Sequence, residues 1–171
     1  MSLGEAKALR AMAHPVRLRI MSLLTGASLT AADVARELGL THANASYHLR
    51  SLHAGGLIML AGEENIRGGH AKRYRYDPSR ETGSPETDEG NRALFAAIGN
   101  EMIRRTTEAQ WDGKKVMADA EVWLAPEDWK RIGQAIGELA IELHLAAKPA
   151  RTPGTIRTST TVAMFEMGSD A

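Results

Sequence analysis

Apolar residues recur at helical spacing through the first fifty positions, and each run is closed by residues that suit a helix end. Ala8, Leu9 and Met12 form one stripe and predict a helix over residues 6–12. His14-Pro15 interrupts it, because the residue before a proline resists the α conformation whereas the proline suits the first turn of a new helix. A second helix is expected over residues 15–24, with Val16, Leu18, Ile20, Leu23 and Leu24 as core side chains and Gly26 at its end. Thr30, with Asp33 three residues on, reads as an N-cap of shortened capping-box form. Val34 and Leu38 share a face of that helix, and Gly39 follows where a C-terminal glycine belongs. Thr41 caps the next helix, whose Ala45, Leu49 and Leu52 point inward, and Gly55-Gly56 stops it. Two short helices joined by a glycine-containing turn make a helix-turn-helix.

The period then changes from helical to alternating. Leu57-Ile58-Met59-Leu60 is a short apolar strand, residues 65–70 form a turn rich in glycine and basic residues, and Lys72-Arg73-Tyr74-Arg75-Tyr76 alternates basic with aromatic. This is a β-hairpin, or wing, directly after the helix-turn-helix. Residues 77–90 have no apolar residue larger than proline and read as a linker. Beyond it, residues 91–110 predict a helix with Leu94, Phe95, Ile98 and Met102 on one side. Residues 115–124 alternate, with Val116, Ala118, Ala120, Val122 and Leu124 on one face of a predicted strand. Pro126, Glu127 and Asp128 open a helix expected to reach residue 147. Its Trp129, Ile132, Ile136, Leu139, Leu143 and Ala146 follow a heptad-like seam. A threonine-rich run over residues 155–167 predicts a second strand. The expected organisation is α+β: a winged helix-turn-helix domain over residues 1–77, a linker over 78–90, and an α-β-α-β dimerisation or effector domain over 91–171. A lone strand pair is marginal, so this second domain is expected to pack on another copy, on the first half, or on both.

Three separated stretches, Ala13-His14-Pro15-Val16-Arg17-Leu18-Arg19-Ile20, Thr41-His42-Ala43-Asn44-Ala45-Ser46-Tyr47-His48-Leu49-Arg50-Ser51-Leu52 and Ala54-Gly55-Gly56-Leu57-Ile58, stand in order ahead of the wing. Over residues 5–77 the chain resembles the arsenic-repressor (ArsR-like) winged helix-turn-helix regulators. The resemblance implies a dimeric bacterial transcription regulator, often a repressor released from DNA by an effector. It also makes Tyr47-His48 the usual kind of pair in the middle of the recognition helix, with His48 structural or phosphate-bonding. One departure concerns metals: the family's metal sensors often carry cysteines in or near the DNA-binding helices, and this chain has none.

With Ala45, Leu49 and Leu52 inward, a recognition helix over residues 41–53 turns Thr41, His42, Ala43, Asn44, Ser46, Tyr47 and Arg50 toward the major groove. Asparagine pairs with adenine N6/N7, arginine with guanine O6/N7 or a phosphate, and alanine allows close approach to a thymine methyl. On the wing, Arg67, His70 and Lys72 suit phosphates or the minor groove, and Arg73 and Arg75 fit DNA contact or a charged edge strand equally. His14 reads as a cap or packing residue. For dimerisation the candidates are Leu94, Ile98, Met102, Ile136 and Leu143, with the Ala8, Leu9, Met12 stripe beside them. The partners expected are double-stranded DNA and a second copy, with room for a small-molecule effector. The rival is a winged scaffold that binds protein and has no operator.

Charge sharpens this picture. The 171 residues carry 21 basic and 21 acidic side chains, but residues 1–80 hold 11 and 6 while residues 81–171 hold 10 and 15. A basic half fits a polyanion partner. The absence of cysteine excludes disulfides and thiolate chemistry. No phosphate-cradling glycine loop, G-x-S-x-G or H-E-x-x-H occurs, and Glu138, Glu142 and His144 are not spaced to share a metal on one helix face. No enzyme activity, cofactor, metal or membrane span is expected, and the location expected is cytoplasmic. Trp111, Trp123 and Trp129 all fall in the second half, where they read as core ahead of an aromatic pocket for an apolar effector.

Overall fold

The computed structural model describes residues 14–66, 69–78 and 87–168. The helix expected over residues 6–12, with Ala8, Leu9 and Met12, lies outside them, as does Arg67. Among the described residues the fold is α+β, with five helices and one two-stranded antiparallel sheet.

Helix α1 spans Pro15–Gly26, with proline in its first turn and His14 as N-cap, whose Nδ1 accepts from the Val16 amide at 3.2 Å. Helix α2, Ala31–Leu38, starts from a complete capping box: Thr30 Oγ1 accepts from the Asp33 amide at 3.2 Å, and Asp33 Oδ2 accepts from the Thr30 amide at 3.0 Å. Gly39, at φ 66°, closes it in the left-handed conformation that glycine adopts without steric cost. Helix α3, His42–Ala54, is capped by Thr41 through the Asn44 amide. Strands β1, Met59–Ile66, and β2, Gly69–Arg75, pair antiparallel with a bulge between Leu60 and Gly62. The hairpin is tied back by reciprocal 2.9 Å backbone bonds between Leu29 and Tyr74, and by the Tyr76 amide donating to the Leu24 carbonyl.

The core lies inside this N-terminal unit. Ile20, Leu24, Val34, Ala45, Leu49, Leu52, Leu57, Ile58 and Tyr74 form one buried cluster. Val16, expected in the core, packs at its margin, while Arg17 is buried on the inward face of α1. Helix α4, Asp88–Thr106, begins inside the expected linker, where Thr87 accepts from the Gly90 amide. Its buried row is Leu94, Ala97 and Glu101, so the helix is rolled away from the expected Phe95, Ile98, Met102 stripe. Two arginines explain how a carboxylate joins that row: Arg104 bonds Glu101 at 2.7 Å and Arg105 at 3.1 Å. Helix α5, Pro126–Ala146, matches its expected range to one residue but buries none of its side chains fully.

The two strands expected at residues 115–124 and 155–167 are not formed. Neither segment has regular secondary structure, and the β1–β2 ladder is the only sheet among the described residues. A strand exists by its pairing, and among the described residues neither segment pairs with the other or with an edge of the wing. The tryptophan expectation also fails in part, since Trp111 and Trp123 are exposed. Trp129 is half-buried and, with Ile136, Ala140, Val162 and Met164, lines an open groove of about 390 Å³.

The C-terminal half is clasped to the helix-turn-helix. Arg151 pairs with Glu37 on α2 at 2.8 Å, Arg105 donates to Ser22 on α1 at 3.5 Å, and the Lys148 backbone lies directly over Gly26. A β-carbon at position 26 would collide with the Lys148 carbonyl. Gly26→Ala is therefore expected to destabilise the protein by about 1–3 kcal/mol, although alanine is the better helix former. Urea unfolding checks this; unchanged or raised stability would mean residues 147–149 do not press on α1.

Candidate nucleic-acid interface

Helices α2 and α3 are joined by Gly39, Leu40 and Thr41, and the roll of α3 is set by the side chains it buries. Ala45, His48, Leu49 and Leu52 all face the core. Opposite them His42, Ala43, Asn44, Tyr47 and Arg50 are exposed, as is the capping Thr41; Ser46 is half-buried at the edge of this face. The exposed set combines amide, guanidinium, imidazole and phenol groups with a small alanine, a donor and acceptor array that can read base edges. Its width suits the groove-facing side of a recognition helix.

His48 sits under this face. Its Nδ1 accepts from Arg17 Nε at 3.4 Å, and its ring lies 5.0 Å from His14 and 5.4 Å from Tyr47. An acceptor Nδ1 places the proton of the neutral ring on Nε2. Burial, then the neighbouring His14 and Arg17, hold its pKa below the ordinary histidine value; burial and Arg17 do the same to His14. Arg17 and His48 are a polar part of the core that the apolar pattern does not show. The spacing of 17, 20 and 24 on α1, and of 45, 48 and 52 on α3, was the available signal.

The wing is more mixed in charge than its basic residues suggest. Glu63 lies opposite Lys72 in the ladder and Glu64 opposite Ala71. Arg73 bonds Glu64 at 2.5 Å and also donates to the Ser28 carbonyl and hydroxyl, so it fastens the wing to the α1–α2 loop. Arg75 leans toward Asp77 at 3.9 Å. His70 and Lys72 are exposed, and they share a strand face with Tyr74, whose ring meets His53 at the end of α3. Tyr74 is a packing residue, which places that strand face on the α3 side of the hairpin.

A family described as a helix-turn-helix domain matches residues 12–61, which take in α1, α2, α3 and the start of β1. The chain carries a helix-turn-helix domain. No curated protein matches the sequence. A helix-turn-helix of this kind implies DNA binding, and the hairpin that follows occupies the place of a wing. No described helix is long and apolar enough to cross a membrane.

The buried imidazoles link this interface to pH. Both rings bind fewer protons when folded than when unfolded, between their lowered pKa values and the ordinary value of about 6.5. Stability is full above that value and falls as pH drops through the window. His48→Gln keeps a polar group without a proton to gain, so its denaturation midpoint is expected to vary less between pH 7.5 and 5 than the parent's. A variant with the parent's full slope would place the titrating group elsewhere.

Proposed function

We propose that the protein is a sequence-specific transcription regulator of the ArsR-like winged helix-turn-helix type, acting as a homodimeric repressor. The observation that carries the reading is the exposed polar face of α3, with Asn44, Tyr47 and Arg50 outward on a helix whose opposite face is locked in the core. In this reading α3 enters the major groove and the Asn44 and Arg50 side chains meet base edges. The wing, through His70, Lys72 and Arg67, lies on the flanking phosphates. Residues 14–77 are the DNA-binding unit, and the region from Thr87 onward serves dimerisation.

Dimerisation is supported by what the C-terminal half leaves uncovered. Met102 and Leu143 are exposed, and Ile98 and Ile136 half-buried, whereas Leu94 is buried inside the chain. The exposed Leu139 and Leu145 extend the apolar surface of α5. Two copies on a two-fold-symmetric site double the contacts of a small module. The repressor role follows from the resemblance described above.

Selection of bound sequences from a random DNA pool tests the reading directly. It is expected to yield a two-fold-symmetric site with half-sites one helical turn, or a multiple, apart; recovery of no preferred sequence would overturn it. On the selected site, Asn44→Ala and Arg50→Ala are each expected to weaken binding by roughly 1–3 kcal/mol while leaving thermal unfolding near the parent's. Parent-like affinity in both variants would put another face of α3 on the DNA.

Removing Lys72 and Arg67 together is expected to weaken binding to all sequences alike. The log-log salt dependence, with a slope of about −0.9 per phosphate contact, would flatten accordingly. A titration with an unchanged slope would take the wing off the backbone.

A further inference from the structure

After α4 the chain leaves the body of the molecule. Every residue from 111 to 124 is exposed, with Val116 at 101%, Met117 at 92% and Trp123 at 89% of full exposure. The sequence alternates like a strand, yet among the described residues no backbone hydrogen bond is made anywhere in 114–124. A side-chain bond from Lys115 Nζ to the Trp111 carbonyl stays within the segment.

Residues 155–167 are the counterpart. Although exposed at all but Met164, they reach α4 through side chains: the Phe165 ring lies 5.3 Å from Phe95, Arg157 bonds Glu108 at 2.7 Å, and Ser159 Oγ accepts from Arg105 at 3.5 Å. The segment therefore runs antiparallel to α4, while Val162 and Met164 wall the groove along α5. Among the described residues, none of the amides and carbonyls of 156–168 has a backbone partner. Among the described residues the chain thus presents two segments with open backbone groups, one bare and one in side-chain contact with α4, and does not join them to each other.

We propose that residues 111–124 are an exchange arm that adds, antiparallel, as a strand beside residues 155–167 of a second copy of this chain. Exchange is reciprocal and closes a two-fold dimer. The inference rests on the homodimer of the reading above and names its interface. Charge selects the orientation: the arm begins with Lys114 and Lys115 and continues to Asp119 and Glu121, while the acceptor begins near Arg157 and ends near Glu166. Antiparallel alignment brings Lys114 and Lys115 to Glu166 and turns Asp119 and Glu121 toward Arg157, which Glu108 already holds in part, whereas parallel alignment sets Lys115 beside Arg157. A second copy is the occupant because each chain holds one donor and one acceptor. Exchange covers Val116, Met117, Val122 and Trp123 and removes two open edges at once.

The chain has no cysteine, so single cysteines report geometry cleanly. Ala118→Cys in one protein and Thr158→Cys, Thr160→Cys or Val162→Cys in another would be mixed, refolded together and oxidised. At least one pairing is expected to give a disulfide-linked dimer, since paired strands bring Cα atoms within bridging distance. With both cysteines in one chain, the expected product is again linked dimers. A disulfide closed inside a single chain, or no arm-to-acceptor bond at all, would overturn the proposal.

In parallel, Ala118→Pro with Glu121→Pro removes one donor from each edge of the arm. Every residue of the arm is exposed, and beyond Gly113 its backbone makes no hydrogen bond among the described residues, so folding is expected to survive, checked by circular dichroism. Light scattering is expected to show the parent at twice the chain mass and this variant at half the parent's value. A proline variant that stays dimeric would overturn the exchange and leave a dimer formed by other surfaces. A monomeric parent would overturn the homodimer and the exchange together while leaving DNA binding by α3 untouched.

Discussion

Ala45, His48, Leu49 and Leu52 set the roll of α3 by entering the core against Ile20, Leu24 and Val34. A helix has one roll, so burying this row fixes what the opposite side shows. The close-packed core turns a modest apolar pattern into an exact presentation of Asn44, Tyr47 and Arg50. The capping box at Thr30, the left-handed Gly39 and the Thr41 cap fix where α2 and α3 begin and end. The Leu29–Tyr74 bridge carries the same frame outward into the wing.

Polar groups inside this frame are kept by partners. His48 is buried because Arg17 donates to it, and Glu101 because Arg104 and Arg105 close on its carboxylate. Arg104 comes first among the groups that hold the Glu101 pKa below the usual carboxylate range. Arg105 is shared among Glu101, Ser22 and Ser159, so one guanidinium joins α4, α1 and the seated C-terminal segment. With Arg151 on Glu37 and Lys148 over Gly26, these contacts give the second half a grip on both helices that position α3.

The wing shows how pairing changes the meaning of charge. As a list of residues it is basic; as a ladder it sets Glu63 opposite Lys72 and spends Arg73 on Glu64 and Ser28. Cations already held by the fold gain less from a phosphate than free ones, so His70 and Lys72 are the described wing residues best placed to meet DNA.

The sequence by itself determined helices α1 to α3, their caps, the hairpin and the exposed face of α3. These rest on local rules: helical spacing, proline at a first turn, a hydroxyl at an N-cap and glycine at a left-handed stop. Periodicity also found α4 and α5, though α4 starts three residues earlier than the pattern suggested, because Thr87 caps it. Tertiary structure decided what local rules cannot reach. It rolled α4 so that Glu101 is buried and Met102 is not; the pairing of Glu101 with Arg104 and Arg105 is local, three and four residues along the same helix, but which face α4 turns inward is not. It placed Arg17 beside His48 across 31 positions of chain. Alternation over residues 115–124 and 155–167 did not yield strands: a strand also needs a neighbour, and among the described residues neither segment has one.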